Sequence, residues 1–196
     1  MTASVKLISI ASVTTGAVGT AGVIYFKPKQ ANVTIRQELE KLGKTILRKA
    51  EDSRWEIQEY IYKEVISKTP SFKIDDKGVL TKNELSQWCL ESLNKPYSLD
   101  LYNKVKAFCL APSAKDKLSK NNKTVATSLT QQVENYKKYT QNDDLKIPEQ
   151  EMENKKQDTL TEGDLKKWCN SHLGMELYDG DDKNYKRVEK WCTNTV

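Results

Sequence analysis

The sequence predicts a mainly α protein: an N-terminal transmembrane helix, a long amphipathic helix, then two duplicated helical-hairpin units, each with a cysteine pair. Three observations predict it. Residues 7–26 form an uncharged run, apolar residues recur at helical spacing over 36–68, and LTKNELSQWC (80–89) returns as LTEGDLKKWC (160–169). The implied divisions are 1–30, a membrane anchor or signal segment; 31–110, a helical region with the first hairpin; 111–158, a polar linker holding one amphipathic helix; and 159–196, the second hairpin.

The first element is argued from length. An apolar helix needs roughly 20 residues, at ~1.5 Å each, to cross the ~30 Å hydrocarbon core. Residues 7–26 meet that length, with Lys6 before them, Lys27 and Lys29 after, and Tyr25 and Phe26 at the interfacial position. Gly16, Gly19 and Gly22 open a face that another helix can approach. A cleaved signal peptide, with small residues around Ala17 and Ala21, is the competing reading, and a buried core helix is a third. Lys27, Lys29 and Arg36 outnumber Lys6, which favours a cytoplasmic bulk. The cysteines argue for the opposite side, and we weight them more.

Composition limits the size of any single core. The chain has 196 residues, of which 37% are hydrophobic and 30% charged, and its mean hydropathy is −0.72, which disfavours one large core. Net charge is +5, and the three lysines of residues 1–30 leave only +2 beyond them. Lysines alternate with acids, so no nucleic-acid stripe stands out.

Over 36–68, Leu39, Leu42, Ile46, Ala50, Ile57, Ile61 and Val65 keep three-, four- or seven-residue spacing. We expect one long helix or two abutting ones, weakened at Gly43, with Asp52-Ser53 as a break and Pro70 as the stop.

The repeat is the most informative feature. Leu80, Thr81, Leu85, Trp88 and Cys89 recur as Leu160, Thr161, Leu165, Trp168 and Cys169. Each unit closes alike, on Tyr102, Val105, Phe108 and Cys109, or on Tyr185, Val188, Trp191 and Cys192. Thr81 with Glu84, and Thr161 with Asp164, have capping-box spacing. Leucine, tryptophan and cysteine then share one helical face. Residues 112–124 and 141–158 read as linkers or mobile loops. Val125, Leu129, Val133 and Tyr136 read as a helix that serves the second unit as Trp55–Val65 serves the first.

Four cysteines allow three connectivities. The repeat favours Cys89–Cys109 and Cys169–Cys192, each worth roughly 3 kcal/mol by loop closure. Such bonds need an oxidising compartment. Reduced core thiols remain open, since cysteine packs well beside tryptophan. A metal site also remains, although no C-x-x-C exists and His172 has no repeat partner. Residues 73–84 resemble a calcium loop at Asp75, Gly78 and Glu84, but Lys73 and Lys77 stand where oxygens are needed. Asp179, Asp181 and Asp182 read as a solvated turn. No phosphate-binding loop, dinucleotide fingerprint or nucleophile elbow occurs, and the carboxylates are unpatterned, so neither an enzyme nor a cofactor is expected.

The weak anchor with Trp88-Cys89, Phe108-Cys109, Trp168-Cys169 and Trp191-Cys192, in a Lys/Asn-rich chain, resembles a paralogous family of membrane-anchored, uncharacterised proteins of haemotropic mycoplasmas. The resemblance implies a surface protein, antigenic or adhesive, whose partner is a host protein or antibody. It implies no catalytic residues. The alternatives are an intracellular tethered scaffold with reduced cysteines and a hydrolase with a carboxylate site.

Overall fold

A computed structural model of the chain describes residues 33–141, 143–180 and 183–194. The expected anchor at 7–26 lies outside the described residues, as do Asp181 and Asp182 of the acidic turn. The structure is mainly helical, and the described residues contain no β-strand, only isolated bridges.

Four helices begin with the same lock. Helix α1 (Ile35–Glu40) starts at Thr34 with Gln37, α3 (Lys82–Ser92) at Thr81 with Glu84, α5 (Ala114–Lys120) at Ser113 with Asp116, and α7 (Glu162–Leu173) at Thr161 with Asp164. In each, the hydroxyl accepts from the third helical N–H, and that residue's side chain returns to the cap N–H. Two orphan donors are thereby satisfied at each start. The locks alternate with α2 (Trp55–Lys68), α4 (Leu99–Phe108), α6 (Thr130–Lys137) and α8 (Lys183–Cys192).

The hairpin repeat legible in sequence is therefore the second half of a longer one. Unit one runs α1–α4 and unit two α5–α8. Main-chain bonds match pair by pair. Tyr97 N–H donates to Val33 O, and Leu177 N–H to Pro112 O, both at 2.8 Å. Leu47 N–H donates to Cys109 O, and Ala126 N–H to Cys192 O, both at 2.9 Å. Gln58 and Gln132 each donate a side-chain amide to the carbonyl following the unit's second cysteine, Leu110 O and Thr193 O.

This plan corrects four expectations. The expected long helix, or two abutting ones, over 36–68 is two helices that do not abut: residues 41–54 separate α1 from the 14-residue α2. Gly43 turns the chain at φ +64, a left-handed conformation that glycine adopts freely. The next residues then pair with the chain beyond Cys109, through the Ile46–Leu110 bridge and the Ala111 N–H to Thr45 O bond. Ile46 is buried as extended chain, while Ala50 is exposed, so the apparent stripe joined two different elements. Residues 112–124, read as linker, hold α5, with Leu118 fully buried. Asn122 takes the left-handed place of Gly43, at φ +56. Residues 141–158 bring Ile147 and Met152 into the second core. The expected helix from Val125 begins only at Thr130, because Val125 bridges to Thr193.

Each unit has its own core. The first gathers Ile35, Leu39, Leu47, Trp55, Tyr62 and Phe108 around Cys89 and Cys109. The second gathers Leu118, Tyr136, Ile147, Leu160, Trp168 and Trp191 around Cys169 and Cys192. Two modest cores are what a 37% apolar chain can fill.

Candidate functional surface

The cysteines pair as the repeat favours. Cys89–Cys109 and Cys169–Cys192 are disulfide-bonded, each with Cα atoms 5.6 Å apart, and no cysteine is free. The helical spacing that aligns leucine, tryptophan and cysteine puts each bond inside its unit. Leu85, Phe108, Leu165, Trp168 and Trp191 are buried, whereas Trp88 is half-buried. Thr81 and Thr161 are exposed caps. Hydrogen bonds from the Thr81 amide, the Lys77 ammonium and the Thr81 hydroxyl hold the Glu84 carboxyl down at about 2. Lys155 and Thr161 do the same to Asp164, also to about 2. These singled-out residues build the scaffold and converge on no common cleft.

Sequence reasoning missed the seam between the units. Arg54 lies beside Asp52, with Nη2 to Oδ2 at 2.6 Å, and its Nη1 donates to Leu177 O at 2.7 Å. Burial pushes the Asp52 carboxyl up, but the Arg54 hydrogen bonds and charge outweigh it and hold the group below its ordinary value. Thr45 N–H donates to Glu176, and Ser53 Oγ to Asp179. Ile57, from α2 of unit one, sits in the core of unit two. Nothing in sequence marked Arg54, because its partner carbonyl is 123 residues away.

A second cluster belongs to unit two. The His172 ring stacks on Trp168 at 4.2 Å, and its Nε2 lies 3.2 Å from Glu151. Trp168 Nε1 donates to the same Glu151 oxygen at 3.0 Å. Ser171 Oγ lies 3.0 Å from His172 Nδ1, which superficially resembles a Ser–His–Glu relay. The Ser171 hydroxyl donates to the Trp168 carbonyl at 2.8 Å, so its hydrogen is engaged by the helix backbone, and His172 Nδ1 lies 2.9 Å from the same carbonyl.

Open clefts are shallow and mixed in character. One of 230 Å³ lies at the seam beside Arg54, Glu56, Lys117 and Tyr178. Another of 500 Å³ runs past Leu42, Gln58, Ile61, Lys106 and Pro112. The Oε1 atoms of Gln58 and Gln132 have no hydrogen-bond partner among the described residues. Because both units share this, it belongs to the packing of the repeat. Among the described residues no cluster of three or more His, Cys, Asp or Glu is placed to hold a metal ion. In the stretch with calcium-loop spacing, Asp75 and Asp76 form a left-handed turn, and Glu84 is engaged by Lys77 and Thr81.

Comparison of the chain with protein-family profiles, with curated proteins and with solved structures gives no match.

Proposed function

We propose that the chain is a membrane-anchored surface scaffold, held by residues 7–26, that presents its two disulfide-stapled helical units outside the cell to a host protein or antibody, without catalysis. The observation that carries this reading is the pair of buried disulfides in duplicated units. Bonds of this kind persist in oxidising compartments and suit small domains with thin cores. The uncharged run before the folded units supplies the tether. The shallow clefts fit a protein partner better than a small substrate, which normally enters a concave site.

Protease treatment of intact cells should release fragments from beyond residue 30, and alkylation before reduction should find all four cysteines blocked. Protection of the whole chain, with four free thiols, would replace this reading with an intracellular tethered scaffold. The Lys27 and Lys29 bias is the observation on that side.

A further inference from the structure

The two units differ in whether one corresponding edge is covered. In unit two, the turn between α7 and α8 is overlaid by unit one: Arg54 bonds Leu177 O, Thr45 bonds Glu176, Ser53 bonds Asp179, and Leu177 is 7% exposed. In unit one, the matching turn between α3 and α4 has no such cover among the described residues. Residues 94–100 are all exposed, with Tyr97 at 44% and Leu99 at 65%. Tyr97 stacks toward Tyr102 at 5.5 Å, and Lys106 stands over Tyr102. Lys95 lies in the same strip, and Arg36 reaches it through Asn94.

The chain itself indicates the cover. What overlies the edge of unit two is the polypeptide that precedes it, namely unit one. What precedes unit one is the uncharged run. Tyr97 N–H donates to Val33 O, so this edge lies where the chain enters the unit. Between Phe26 and Val33 lie only residues 27–32. Fully extended, that stretch reaches at most about 25 Å. A tether of that length holds the entry of unit one at Val33 within about 25 Å of a bilayer that contains residues 7–26. An aromatic and an aliphatic side chain beside Lys95 and Lys106, with Lys104 offsetting the exposed Asp100 at 3.4 Å, is a composition that suits a headgroup layer.

We propose that this edge of unit one, centred on Tyr97 and Leu99, is a second membrane contact that lays the folded region against an anionic lipid surface. The inference rests on the anchor reading above. A second copy of the chain fits less well. Aligning Gln58 with Gln132 and Tyr62 with Tyr136 puts Ser128 where Arg54 stands. Unit two of a neighbouring molecule would therefore bring no guanidinium to this edge.

The test uses the full chain in phosphatidylcholine vesicles with added phosphatidylglycerol and a headgroup-quenching lipid. A fluorescent thiol label is placed at Leu99→Cys or at Val79→Cys. Val79 is equally open, at 63%, but lies at the far end of the α3–α4 hairpin, roughly 16 Å along an 11-residue helix. The label at 99 should be quenched several-fold more than that at 79. Quenching should fall when phosphatidylglycerol is omitted or salt is raised, because basic residues near an anionic surface are screened within a Debye length. In parallel, Tyr97→Ser with Leu99→Ser should speed proteolysis between Lys95 and Lys106 on vesicles and leave it unchanged in detergent. Equal quenching at both sites, in a chain that resists alkaline washing, overturns the inference and leaves the anchor reading standing. Loss of the chain on washing overturns both. Quenching at 99 that vanishes when the chain is diluted below one copy per vesicle assigns the edge to a second copy and overturns the lipid contact.

Discussion

Unit one and unit two share a backbone plan but fill it with different aromatics, and the difference explains the longer loop of the second. Unit one closes on Phe108, which needs no hydrogen bond and packs edge-on to Tyr62 at 5.0 Å. Unit two closes on Trp191, packed edge-on to Tyr136 at 4.9 Å, and its indole N–H must find an acceptor when buried. Leu145 O provides it at 2.7 Å. Trp168, more deeply buried than Trp88, likewise donates to Glu151. Both acceptors lie between α6 and α7, in the stretch that reads from sequence as mobile polar chain. A polar loop here completes a core by supplying acceptors to two indoles.

The harshest way to break the comparison is to empty each core. Phe108→Ala and Trp191→Ala should each lose about 4 kcal/mol in urea denaturation. Trp191→Phe then sharpens it: leaving Leu145 O unpaired should cost about 1–2 kcal/mol beyond the packing change. Next come the staples. Replacing either cysteine pair with alanine should lower stability by about 3 kcal/mol, and the two losses should agree closely, because loops of 20 and 23 residues have nearly equal closure entropies. A loss confined to one pair would show that the units are not equivalent. Arg54→Ala probes an asymmetry. It leaves the Asp52 carboxylate, with 4% side-chain exposure, without its partner, and should lose about 3 kcal/mol. Calorimetry should then resolve two transitions, against the single one expected of the parent chain.

Smaller changes probe the left-handed turns. Gly43→Ala should lose about 1 kcal/mol through backbone strain alone, since nothing crowds the site. Asn122→Gly should gain a few tenths, read as a shift in the urea midpoint. The weakest handle is acid. Glu84 and Asp164 have folded values held to about 2, below their ordinary 4.5 and 3.8. A carboxyl depressed in the folded state contributes stability above its unfolded value and loses it as pH falls toward the folded one. Stability should therefore decline from about pH 4.5 toward 2, and Glu84→Gln with Asp164→Asn should flatten that decline.

What was legible in sequence was local. Thr81 and Thr161 with their acidic partners announced caps, and the Trp-Cys pairs announced the hairpins, because those interactions act within four residues. The correspondence of α2 with α6 was legible, whereas the opening stretch of each unit was missed, although Thr34–Leu47 and Ser113–Ala126 occupy matching places. Their shared side chains are few, and the likeness resides in backbone: a left-handed residue at Gly43 or Asn122, and bonds to a carbonyl some 60 residues on. Helical periodicity held at both ends of 36–68, with the break near Asp52-Ser53 and the stop before Pro70, and failed only across 41–54, where the pairing of Thr45 with Ala111 overrides local propensity. The seam at Arg54 and the acceptor at Glu151 are tertiary, and a single charged residue in a charge-rich chain carries no such signal.

The disulfides have one more consequence, which concerns cutting. The exposed turn at 94–98 lies between Cys89 and Cys109, and the turn at 174–180 between Cys169 and Cys192. A clip at either turn severs the polypeptide without freeing a fragment, because the two new ends stay covalently joined through sulfur. In unit one the most open stretch of the hairpin is thus one where backbone breakage is harmless to connectivity, and a molecule nicked there would migrate as intact until reduced.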